Sequence, residues 1–199
     1  MPFAERCTGY ETKLARKNKK ERYEKQELQV TQFVGEIIME IRKSTTEDLQ
    51  EIMEIYGIAR IFMKNTGNPT QWRNGYPSES LVRSDIESGI SYVAVENGEI
   101  EAVFVFRMGE DPTYKVIEDG AWRNDAPYGV LHRIASRGRV KGIGSECIQW
   151  CFAQCGNLRG DTHADNHVMQ RVMEKNGFVK CGRIYIADGS PRIAYQKLD

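Results

Sequence analysis

From residue 39 onward, apolar positions fall into short blocks with a recognisable period. Residues 40–43 read as a strand. Thr45, Thr46, Glu47 and Asp48 then supply a hydroxyl cap and first-turn acids for a helix. Leu49, Ile52, Met53, Ile55, Tyr56 and Ala59 recur at helical spacing along it. Residues 65–77 hold Gly67, Pro69, Gly75 and Pro77, which interrupt regular structure, and a second helix is predicted over 78–88. Residues 92–95 and 100–106 flank Asn97-Gly98 and predict a hairpin, because that dipeptide accepts the positive φ of a two-residue turn. Residues 111–128 show no period. A strand over 130–136, a helix over 142–155, a strand over 158–163 and a helix over 166–176 follow, and strands over 178–187 and 192–198 close the chain. The predicted order, β-α-α-β-β-β-α-β-α-β-β, implies a mixed sheet covered by helices.

Residues 1–38 differ. They form a polar extension, helical or disordered, in which Lys13, Arg16, Lys17, Lys19, Lys20, Arg22 and Lys25 mix with Glu21, Glu24 and Glu27. Two other readings stay open: an arm for nucleic acid or a partner, or a segment upstream of a natural start at Met39. Residues 39–199 make one domain, as expected for a chain of 199 residues. Lys plus Arg and Asp plus Glu number 28 each, so a net charge of zero argues against a nucleic-acid-binding protein and makes any anion site local. The five cysteines, Cys7, Cys147, Cys151, Cys155 and Cys181, lack a paired framework, no apolar run is long enough for a membrane span, and no signal pattern opens the chain. These features point to a reducing cytoplasm.

The strongest chemical feature joins the strand over 130–136 to the next helix through R-G-R-V-K-G-I-G-S. Arg139, Gly142 and Gly144 form R-x-x-G-x-G. Glycines let backbone N–H groups approach an anion, and the helix N-terminus adds free donors and partial positive charge. Arg137, Arg139 and Lys141 add local charge, so the segment suits a pyrophosphate. It matches neither the triphosphate loop G-x-x-x-x-G-K-[ST] nor the dinucleotide G-x-G-x-x-G, which removes most support for NTPase or hydride-transfer chemistry.

Three segments in order resemble the GNAT superfamily of acyl-CoA-dependent N-acetyltransferases: M-E-I-R-K-S-T-T-E-D-L from Met39, R-V-K-G-I-G from Arg139, and N-H-V-M-Q-R-V-M-E-K-N-G-F from Asn166. The resemblance implies an α/β fold of the α+β kind, with a central, mostly antiparallel mixed sheet flanked by helices. It implies acetyl-CoA as co-substrate and a small-molecule or peptide amine as acceptor, with direct transfer in a ternary complex and no role for nucleic acid or membrane. A homodimer follows by analogy alone. Ile134, Ala135 and Ser136 would lie on the splayed strand that pairs with the pantetheine arm. Arg139, Val140, Lys141, Gly142, Ile143, Gly144 and Ser145 would hold the pyrophosphate, and Asn166 would lie close to the cofactor. Two departures stand out. Met173 occupies the position where the family commonly carries a proton-donating Tyr, and the link from Ser136 to Gly142 is shorter than usual. A non-catalytic acyl-CoA-binding domain is the rival that Met173 keeps open.

Amide formation needs a base. Glu118, beside Asp119 in the irregular segment, is one candidate. His132 is the other; strict alternation would put it on one face with Val130 and Ile134. Trp72, Tyr76, Tyr114 and Trp122 are candidate acceptor contacts or packing residues, and Glu110, Asp111, Glu118 and Asp119 would suit a cationic amine. His163, Asp165 and His167 have ligand chemistry, but D-T-H-A-D-N reads as a strand end and helix cap, so no metal is expected. Cys147, Cys151 and Cys155, spaced by four, read as core.

Overall fold

The computed structural model describes residues Met39–Asp199, so the expected extension over 1–38 lies outside them. Strands β1 (Met39–Lys43), β2 (Ser91–Glu96), β3 (Glu99–Met108), β4 (Gly129–Ser136), β5 (Asn157–Thr162), β6 (Val179–Tyr185) and β7 (Pro191–Leu198) form one sheet in the order β1-β2-β3-β4-β5-β7-β6. Only β4 and β5 are parallel. The helices are α1 (Leu49–Asn65), α2 (Glu79–Glu87), α3 (Ile143–Cys155) and α4 (His167–Lys175). The elements come in the predicted order, as a mixed α/β fold. None of the described helices is long and apolar enough to cross a membrane.

Local chemistry sets the helix starts. Ser78 accepts the Leu81 N–H at the start of α2, and the Asn166 Oδ1 accepts the Met169 N–H at the start of α4. α1 begins later than its sequence suggests. A 3-10 turn over Thr46–Asp48 precedes it, because the Asp48 carboxylate takes the Thr45 N–H and a two-pronged contact from Arg42 at 2.7 and 2.8 Å.

Two layers cover the sheet. On one face α3 and α4 pack Ile143, Cys147, Ile148, Cys151 and Met173 against Phe104, Phe106, Leu131, Leu158 and Tyr195. On the other face α1 and α2 cover β2, β3 and the end of β4 through Ile52, Ile55, Tyr56, Val82, Val93, Val103 and Ala135. Among the described residues, no α-helix covers β5, β7 and β6 on that second face. The irregular segment 109–128 takes that role, with Tyr114 buried beside Val130, Ile184 and Ala194. It is strapped to β6 by reciprocal hydrogen bonds between Glu118 and Arg183 backbones, both 2.8 Å. The approach depends on two glycines. A Cβ on Gly120 would lie 2.0 Å from the Cys181 carbonyl oxygen, and one on Gly182 would lie 2.6 Å from that of Glu118.

Two features of β4 open a gap in the sheet and direct side chains towards it. Its parallel ladder with β5 ends at Leu131↔Gly160, although both strands run on. Its register with β3 shifts between Val105↔His132 and Val103↔Ala135, and Arg133 has φ +51°. This is a β-bulge. It corrects the expected alternation: His132 stays on the Val130 face, Arg133 joins it there to meet Asp85 of α2, and Ile134 turns to the α3 face.

Gly120→Ala should detach the strap from β6 and cost about 1–3 kcal/mol through overpacking. Calorimetric unfolding should therefore show a Tm lowered by several degrees; an unchanged Tm would contradict the close approach.

Candidate functional site

Where β4 and β5 separate, a cleft of about 1260 Å³ opens through the sheet. It is bounded by the α1–α2 connection, the N-terminal ends of α3 and α4, the second half of β4 and the β6–β7 hairpin.

One end is a backbone cradle. Gly142 adopts φ +90° at the N-cap of α3. The N–H groups of Ile143 and Gly144 donate to no backbone carbonyl of the described residues, whereas those of Ser145 and Glu146 return to the Gly142 carbonyl. Gly138, Gly142 and Gly144 face open space where a Cβ would point. Free donors, a helix N-terminus and clearance for a bulky anion fit the diphosphate of an acyl-CoA. Ser136, Val140, Gly142, Ile143, Gly144 and Ser145 line the cleft here, with Ile134 and Ala135 on the open strand.

The arginines of the loop do something else. Arg139 pairs with Glu101 on β3, and Arg137 donates to Glu51 of α1 at 3.0 Å and to the Ile100 carbonyl at 2.8 Å. The side chains of Arg139 and Lys141 do not line the cleft, and Arg137, which does, is engaged by Glu51, so the loop presents chiefly its backbone donors. Asn166 lines it, with its amide engaged at both ends: Oδ1 caps α4, and Nδ2 donates to Gln71 of the α1–α2 connection at 2.9 Å.

The other end holds a polar cluster. His132 Nε2 lies 2.9 Å from Asp111 Oδ2, and His132 Nδ1 lies 3.5 Å from Asp161 Oδ1. Arg107 donates to the same Asp111 oxygen at 2.8 Å, while the Thr113 N–H and hydroxyl donate to Oδ1. Burial would raise the Asp111 carboxyl, but hydrogen bonds from His132 and Thr113 outweigh it and hold the group well below the usual carboxylate range. Buried Tyr114 donates its hydroxyl to Asp161 at 2.7 Å. Burial, then the Asp161 charge, pushes that phenol well up, so it stays a donor. Sequence reasoning singled out His132 but missed Asp111 and Asp161 as its partners. No spacing signal joins them; the β3–β4 register and the β4–β5 ladder do.

The other candidates are dispersed. Trp72 and Tyr76 line the cleft from the α1–α2 connection. Tyr114 and Trp122 do not: they stack with centroids 5.2 Å apart, and Trp122 lies under the Arg159 guanidinium. Their place is packing beneath the strap rather than on the cleft wall. Glu118 is half-exposed outside the cleft, accepting from the Tyr185 hydroxyl at 3.0 Å. Met173 is buried at the cleft wall, where a thioether offers no proton. Cys147 and Cys151 are fully buried core; burial pushes the Cys147 thiol up to about 12 and raises Cys151 too. Among the described residues, no three His, Cys, Asp or Glu side chains group as a metal site.

An antiparallel sheet that splays around one parallel pair, with a glycine-capped helix at the opening, defines an acyl-CoA-type transferase fold. No family model matches the chain, and no curated protein does. Among solved structures, a GNAT-family acetyltransferase from Streptococcus agalactiae 2603 is 31% identical, with a TM-score of 0.75, covering 81% of this chain and 95% of that one. An N-acetyltransferase from Staphylococcus aureus Mu50 (21%, TM-score 0.55, 81% and 98% covered) and Ard1 from Thermoplasma volcanium (15%, 0.55, 80% and 96%) share the fold. The chain belongs to the GNAT family of acetyltransferases.

Because the Asp111 carboxyl is depressed on folding, its contribution to stability is complete above the unfolded carboxylate value. That contribution is lost as pH falls below about 4. Asp111→Asn should lower stability at neutral pH by about 1–3 kcal/mol and flatten the acid limb. Urea unfolding between pH 3 and pH 7 measures both; an unchanged acid limb would show that Asp111 does not carry it.

Proposed function

We propose that the protein is an N-acetyltransferase that moves an acetyl group from acetyl-CoA to a primary amine within a ternary complex. The observation that supports it best is the arrangement of one cleft, with a backbone cradle at one end and a carboxylate-held histidine at the other. Bound acetyl-CoA would supply the activated acetyl thioester. The N–H groups of Ile143 and Gly144 suit its diphosphate, and the unpaired edge of β4 over residues 132–136 suits its amide-bearing arm. Asp111, held ionised, accepts the Nε2–H of His132 and fixes the ring, which leaves Nδ1 to receive a proton from the incoming amine. Asp161 Oδ1 lies 3.5 Å from that nitrogen. Trp72 and Tyr76 would form the apolar wall of the acceptor channel. Glu118 has no part in this reading because it lies outside the cleft. The cysteines of the described residues are free thiols, in keeping with a reducing cytoplasm.

A second reading, an acyl-CoA-binding domain without turnover, is favoured by one feature: buried Met173 stands where the family commonly has a phenol. Binding and turnover measurements separate the two.

Gly144 tests the cradle, since its Cβ direction is open and its φ is not positive. Gly144→Glu should fold with an unchanged Tm yet weaken acetyl-CoA binding by at least about 100-fold, because its carboxylate would stand beside the anion that the retained backbone donors bind. Calorimetric titration reads this, and equal affinity would place the cofactor elsewhere.

His132→Gln should lower kcat by about 10²–10⁴-fold while leaving the KM for acetyl-CoA near the wild-type value. Steady-state assays of thiol release check it; a retained kcat would remove His132 as base.

A further inference from the structure

Among the cleft charges that find no Arg, Lys, Asp or Glu of opposite sign within 4.0 Å among the described residues, two share one face of adjacent strands. Arg192, on β7, is only 6% exposed. Its Nη1 donates to the Ser190 hydroxyl and the Pro191 carbonyl, both neutral. No carboxylate of the described residues comes within 4.0 Å of it. Nε and Nη2 bond to none of the described residues and are not among the sealed polar atoms, and Arg192 lines the cleft. Asp188 of the β6–β7 turn makes no ion pair with it within 4.0 Å: its Oδ1 takes the Ser190 N–H and hydroxyl, and these hydrogen bonds, with the more distant charges of Arg192 and Arg73, hold its carboxyl below the usual range.

Asp161 is the opposite charge. It receives the Tyr114 hydroxyl and faces His132, but no Arg or Lys of the described residues contacts it. Asp161 pairs directly with Ala194 across the β5–β7 ladder. Arg192, two residues before Ala194, therefore projects from the same face, as a diagonal neighbour whose Cα lies roughly 7–8 Å away. Arg73, on the α1–α2 connection, adds a further exposed cation without an ion pair to the same cleft wall. The other cleft cations on this side are occupied: Arg107 by Asp111 and Arg133 by Asp85, at 2.8 and 2.7 Å.

We propose that the acceptor amine also carries a carboxylate, as a free amino acid does. Its ammonium end would lie by Asp161 and His132, and its carboxylate on the open Nε–Nη2 edge of Arg192, with Arg73 at the entrance. A planar fork with two parallel donors matches a carboxylate, and a buried guanidinium gains most from such a partner. The assignment rests on the acetyl-transfer reading and narrows it to one substrate class.

The test uses the full chain, acetyl-CoA and the twenty protein L-amino acids, each paired with its own amide, which keeps the amine and removes the carboxylate. Thiol release should favour at least one acid over its amide by on the order of 10- to 100-fold in kcat/KM, the value of a charge-assisted pair, with the difference in KM. Arg192→Gln should bring that ratio towards one, and Arg192→Lys should restore part of it; the ratio is internal to each variant and survives a loss of folded protein. Without turnover, the preferred acid should raise the Tm of the CoA-bound wild type but not of Arg192→Gln. Amides turned over as well as the acids would overturn the carboxylate assignment and leave acetyl transfer standing. Acetyl-CoA binding with turnover of neither set would overturn it too. Failure to bind acetyl-CoA would overturn both readings.

Discussion

The cleft exists because one ladder stops. β4 and β5 are parallel neighbours only as far as Leu131 and Gly160. Beyond that, β4 keeps β3 on one side and has no strand on the other, so a row of backbone donors and acceptors opens into the cleft. Such groups are satisfied by water or by a ligand with peptide-like groups of its own. The two hydrophobic covers of the second face follow the same division. α1 and α2 seal the β3–β4 side, the strap seals the β5–β7–β6 side, and the polar cluster of His132, Asp111 and Asp161 lies between them.

The bulge at Arg133 makes this geometry specific. It puts two consecutive side chains on one face, so that His132 enters the cluster while Arg133 reaches Asp85, with side chains 15% and 8% exposed. Removing one partner of so buried a pair costs about 3–5 kcal/mol. Burial raises the Asp85 carboxyl, and Arg133 offsets part of that. The pair ties α2 to the strand that carries His132.

Zero net charge and an anion site are compatible because the cradle uses backbone dipoles rather than lysines and arginines. The cations that crowd the motif clamp the fold instead. Arg139 holds β3 and Arg137 ties the same loop to α1.

Helix and strand positions, the cap at Asn166, the hairpin at Asn97-Gly98 and the glycine motif were legible in the sequence, because each depends on residues within four positions of one another. The resemblance to GNAT sequences singled out the glycine-capped end of the cleft for the same reason: its motif is contiguous. The polar end of the cleft was not legible. Strict alternation misassigned the face of Ile134, since a bulge depends on pairing with β3. Aromatic residues near the irregular segment read equally as cleft wall or packing, and only the strap's route over β6 placed Tyr114 and Trp122 beneath it. His132 and Asp111 are 21 residues apart, and Tyr114 and Asp161 are 47 apart. Local periodicity therefore determined the elements and the motif, while strand register, which joins distant segments through the hydrogen-bond ladder, decided which polar groups meet in the cleft.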